Sequence, residues 1–71
     1  MPRFAIAHRV TGSPEPATYY CIDGLGRISR VGTSAKATVW DTELKTRQAM
    51  EELGLSGDPD VFVADVSGPV Q

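Results

Sequence analysis

His8 and Cys21 are the only imidazole and the only thiol in the chain. A cysteine nucleophile needs a base within reach, a group to orient that base, and donors for an oxyanion. His8 lies in the alternating run RFAIAHRV and Cys21 in TYYCI, so both fall on strands that could be neighbours. Nothing beside either residue supplies the orienting group or the oxyanion donors. The expectation is therefore no catalytic residue and no enzyme. Cys21 reads as a small apolar residue, and His8 as a histidine at the edge of the core.

Asp23, Asp58, Asp60 and Asp65 raise the question of a cation. The DPD at 58–60 lacks the twelve-residue ligand spacing and closing glutamate of an EF-hand, and reads as a turn. A single cysteine with a single histidine does not complete a zinc site. DGLGR at 23–27 resembles the start of a phosphate-cradling loop, but a dinucleotide fingerprint requires a third glycine and a following helix. The third position is Ser29, and the strand-like RISRV follows, so the glycines serve a hairpin. No metal and no cofactor are expected.

These residues must be held by few elements. RFAIAHRV alternates with period two, placing Phe4, Ile6, His8 and Val10 on one face and Arg3, Ala5, Ala7 and Arg9 on the other. TGSPEPAT breaks it with two prolines. TYYCI and RISRV form the hairpin arms, and GTSAKATVW is a turn running into a short extended piece. A helix follows, capped by Asp41 or Thr42 and closed at Gly54, with Leu55 folding back on Met50. Thr46, Ala49, Met50 and Leu53 share its apolar face; Leu44 falls on the polar side beside Arg47, Gln48 and Glu51. VFVADV is apolar on both faces and is expected inside the sheet.

The order β-β-β-α-β makes this an α+β domain over residues 1–66, with 67–71 a flexible tail. A mainly antiparallel four-stranded sheet carries one helix on one face. The strands flanking the helix are read as parallel neighbours joined by a right-handed crossover. The expected core is Phe4, Ile6, Tyr20, Ile22, Trp40, Met50, Leu53 and Phe62.

The 71 residues carry a net charge of −2, placed unevenly. In the first forty, Arg3, Arg9, Arg27, Arg30 and Lys36 against Glu15 and Asp23 leave +3; beyond them, Lys45 and Arg47 against seven carboxylates leave −5. No apolar run approaches the ~20 residues of a membrane span, no secretory signal opens the chain, and one cysteine suits a reducing compartment. The location expected is the cytoplasm of a bacterial host cell, with no membrane partner.

TYYCI, the glycine turn, SAKATVWDTELKTRQAMEELG and VFVADV together resemble small phage, prophage and bacterial proteins. Their pattern is an aromatic strand, an A-x-x-[FW] step into a capped helix, and a valine-rich strand. Here the step is Ala37-Thr38-Val39-Trp40, and the likeness spans residues 18–66. Some anti-CRISPR proteins are similar in size and in having one helix on a short antiparallel sheet. The resemblance implies a fold and carries no catalytic motif.

The function expected is a non-enzymatic protein-binding module, a phage-type inhibitor of a host nucleic-acid-processing defence complex. It would occupy a basic surface through Glu43, Leu44, Arg47, Glu51, Glu52, Asp58 and Asp60, since carboxylates can take the place of phosphates in long-range attraction. The partner is a host protein or protein–nucleic-acid complex, bound by a monomer or homodimer. The alternative is a nucleic-acid-binding or regulatory module using Arg3, Arg9, Arg27 and Arg30 on its sheet; the acidic pI of about 5.1 disfavours it.

Overall fold

In a computed structural model, which describes residues 2–67, strand β1 (Phe4–His8) is the axis of the sheet. It is paired on both edges. One edge carries β5 (Val61–Asp65), antiparallel along its whole length from Phe4↔Asp65 to His8↔Val61. The other edge is shared. Its C-terminal half meets β2 (Thr18–Ile22) through Ala7↔Tyr19 and His8↔Thr18. Its N-terminal half meets the two-residue β4 (Val39–Trp40) through Phe4↔Trp40 and Ala5↔Val39.

β4 can enter there because Thr38 binds the end of β2. The Thr38 N–H donates to the Tyr20 carbonyl at 3.2 Å, and the Ile22 N–H donates to Thr38 Oγ1 at 2.8 Å. β3 (Ile28–Val31) completes the outer hairpin with β2. The result is a small α+β domain: an antiparallel curled sheet with one helix, α1 (Glu43–Glu52), on one face.

Three expectations change. The sheet has five strands rather than four, because the short extended piece before the helix, β4, pairs with β1. β4 and β5 lie on opposite edges of β1, so they run parallel but are not neighbours. β5 pairs with β1 alone among the described residues, so it is an edge strand rather than an interior one. Its two-sided apolar character has another cause. Val61 and Val63 pack under the helix, while Phe62 and Ala64 lie on the helix-free face beside Ala7 and Ala5.

The core sits between α1 and the sheet. Ile6, Met50 and Val61 are buried, with Tyr20, Trp40, Ala49, Leu53, Leu55 and Val63 packed against them. Five of the eight expected core residues are among these. Phe62 is not: it is 41% exposed on the opposite face. Phe4 and Ile22 are half-buried outside this cluster, because the sheet extends past the ten-residue helix. Ala5 and Ala7 are fully buried on a face that carries no helix. Their small side chains are flanked by Val39 and Ala64, and by Tyr19 and Phe62, in the neighbouring strands.

The helix ends as its sequence directs. Thr42 Oγ1 accepts the Lys45 N–H at 3.1 Å, so Thr42, not Asp41, is the N-cap. At the other end Gly54 takes a φ of +75°. The Leu55 N–H donates to the Met50 carbonyl at 2.8 Å and the Gly54 N–H to that of Glu51 at 3.1 Å, the two bonds of a Schellman motif. Leu55, partly buried, packs against the cluster that contains Met50.

The DGLGR stretch is the five-residue loop of the β2–β3 hairpin, closed by Ile22↔Ile28. Asp23 Oδ1 accepts the N–H groups of Leu25 at 2.8 Å and Arg27 at 2.9 Å. Gly26 adopts a φ of +81°, whereas Gly24 has no positive φ. We therefore expect Gly26→Ala to destabilise the protein by about 1 kcal/mol and Gly24→Ala to be near neutral in a urea titration. Equal losses at the two positions would contradict this loop.

Candidate functional site

The expected partner-binding residues fall in two places. Glu43, Leu44, Arg47, Glu51 and Glu52 lie on α1. The helix turns Thr46 and Met50 into the core, and the buried Thr46 hydroxyl is satisfied by the Thr42 carbonyl at 2.9 Å. That orientation leaves Leu44 65% exposed. Two ion pairs neutralise the first half of the helix. Arg47 sets Nη2 at 2.8 Å and Nε at 2.9 Å from Glu43 Oε2, and Lys45 Nζ lies 3.1 Å from Asp41 Oδ1. The Lys45 hydrogen bond, and then its charge, hold the Asp41 carboxyl below its ordinary pKa.

Glu51 and Glu52 differ. They form no ion pair among the described residues, and the last turn of α1 has no basic residue. Both carboxylates stand at the negative end of the helix dipole, where an acid is unfavourable. Glu51 and Arg47 also border an open hollow of about 350 Å³ between α1 and β5, lined further by Met50, Val61, Phe62 and Val63.

Asp58 and Asp60 are drawn elsewhere, to His8. His8 closes β1 on the face shared with Ile6, and the register His8↔Val61 sets it beside the turn that leads into β5. One ligand atom from each of His8, Asp58 and Asp60 lies within 4.8 Å of the others. Backbone and hydroxyl groups fix the carboxylates. The Arg9 N–H donates to the Asp60 carbonyl at 3.0 Å, the Asp60 N–H to Asp58 Oδ1 at 2.9 Å, and Thr11 Oγ1 to Asp60 Oδ1 at 3.2 Å. From the other side Arg30 Nη1 comes within 3.2 Å of His8 Nδ1. The sequence gives no sign of this grouping, because His8 and Asp60 are joined only by strand register.

Cys21 and His8 lie on opposite faces of the sheet: Cys21 stands opposite Ser29, whereas His8 stands opposite Thr18 on the helix side. The sheet itself separates thiol and imidazole. Of the four arginines of the nucleic-acid alternative, Arg9 and Arg30 border one hollow beside His8, while Arg3 and Arg27 lie apart from them. Arg27 pairs with Asp23 at 3.3 Å, and Arg30 stands opposite Tyr20 and points to His8 on the helix side. Arg3 borders a separate hollow with Val39 and Val66. At the end of β5, hydrogen bonds from the Ser67 hydroxyl and N–H lower the Asp65 pKa. Of the expected tail, residues 68–71 lie outside the described residues. No helix among the described residues is long and apolar enough to cross a membrane.

Compared with protein-family models, with curated proteins and with solved structures, the chain matches none.

Proposed function

We propose that the protein is a non-enzymatic protein-binding module. In its concrete form it is a phage-type inhibitor, anti-CRISPR in kind, acting in the bacterial cytoplasm on a nucleic-acid-processing defence complex. It acts by seating the acidic end of α1 on a basic surface of that complex. The observation that supports this reading is the pair Glu51 and Glu52, without an ion pair among the described residues at the negative end of the helix, with Glu51 on the side of the exposed Leu44. Carboxylates kept where they weaken their own helix have their use outside it. The approach would be steered by charge, and Leu44 would then bury its side chain in the partner.

The test begins with a pull-down from a bacterial lysate, followed by binding kinetics against the captured complex. Leu44→Ala is expected to speed dissociation by about tenfold with little change in association, since an apolar anchor acts after docking. Dissociation unchanged by Leu44→Ala would remove the helix as the docking surface. Reversing Arg3 and Arg9 to glutamate is expected to have little effect; a strong, salt-dependent loss there would favour the nucleic-acid alternative.

A further inference from the structure

We propose that His8, Asp58 and Asp60 form a binding site for a divalent metal ion of the zinc class. One imidazole nitrogen and two carboxylates make a mixed donor set. It suits a borderline ion better than calcium, which takes six to eight oxygens, or magnesium, which keeps most of its waters. The two carboxylates balance the charge of a divalent ion. The three residues reach the site from two directions: His8 from the end of the central strand, Asp58 and Asp60 from the turn into the edge strand.

The geometry needs little adjustment. The donor atoms lie within 4.8 Å of one another, and a tetrahedral zinc shell brings its donors to ~3.4 Å. Small side-chain rotations cover that difference. Asp60 is half-buried, and Thr11 donates to one of its carboxylate oxygens, so that ligand is already oriented from behind. Three protein ligands leave a tetrahedral ion one further position, which water can fill.

Arg30 opposes the ion. A guanidinium can only donate, so His8 Nδ1 accepts from Arg30, and the proton of the neutral ring stands on Nε2. A metal at Nδ1 must displace the guanidinium. A metal at Nε2 sends the ring proton to Nδ1, which Arg30 can then no longer face. Either route requires Arg30 to withdraw, and its positive charge repels the ion. The exposed side chain on the outer strand is free to swing away. Arg30 therefore competes with the ion for His8 and weakens binding without preventing it.

The test uses chelator-treated full-length protein. Zinc is titrated by calorimetry, and cobalt(II) serves as an absorbing probe of the ligand field. We expect one ion per chain, and a rise in Tm of about 10 °C or more with free zinc a hundredfold above Kd. His8→Gln and Asp60→Asn should each weaken binding at least ~tenfold, and Asp58→Asn, at an exposed position that leaves the fold intact, should do the same. Arg30→Met should tighten binding by about tenfold, a result that a merely structural His8–Arg30 contact does not predict. Cys21→Ser should leave binding unchanged. Absence of saturable binding, calcium binding as tight as zinc, or zinc binding that survives both His8→Gln and Asp58→Asn would overturn the proposal.

Discussion

Ile6→Ala is expected to cost about 2–5 kcal/mol of folding stability. Ile6 is fully buried at the centre of the central strand, opposite Val63 of β5 and beneath Met50 of α1. The substitution removes apolar surface from the point where helix, central strand and edge strand meet. The cavity can close only partly, because Ile6 shares its strand with the tightly flanked Ala5 and Ala7. At roughly 0.05–0.15 kcal/mol per residue, a chain of this length has about 4–11 kcal/mol in all. Ile6→Ala therefore takes the protein close to unfolding at room temperature. Phe62→Ala removes a larger side chain, but one that is 41% exposed on the helix-free face, and should cost only about 1–2 kcal/mol. A urea titration of the two variants decides this. If Phe62→Ala is the more damaging, the assignment of faces in β5 is wrong.

Reversing Glu51 and Glu52 to lysine is the change with the largest expected effect on binding. Under the proposed function, association with the defence complex should slow by about tenfold or more at low salt. The deficit should shrink as salt is added, since the Debye length falls to ~8 Å at physiological ionic strength. The same double change should raise stability by about 0.5 kcal/mol or more, because lysines at the last turn complement the helix dipole that the glutamates oppose. A single pair of substitutions thus separates the two effects: Tm rises while association slows. A rise in Tm with unchanged association would falsify the docking role and leave the carboxylates a purely local cost.

Much of the local structure is legible in residue order, because it depends on neighbours a few positions apart. Alternation marks β1, Asp41 or Thr42 marks the start of the helix, and Gly54 with Leu55 its end, the caps forming through bonds that span three to five residues. The hairpin is legible too, but which glycine carries the positive φ is not; Asp23 decides it by binding two N–H groups and placing the bend at Gly26. The direction of Leu44 follows from helical period alone.

Tertiary structure decides what depends on partners distant in the chain. A strand with apolar residues on both faces reads as interior. β5 lies at the edge, since it pairs with β1 alone among the described residues, and it is apolar on both faces because one meets a helix and the other lies beside two alanines. Thr38 lets β4 take half of an edge that β2 could otherwise have filled. The joining of His8 to Asp58 and Asp60 is of the same kind. In sequence they are a core-edge histidine and two loop acids of a charged surface. The antiparallel register of β1 and β5 sets them side by side, and a shift of one residue would send His8 to the opposite face.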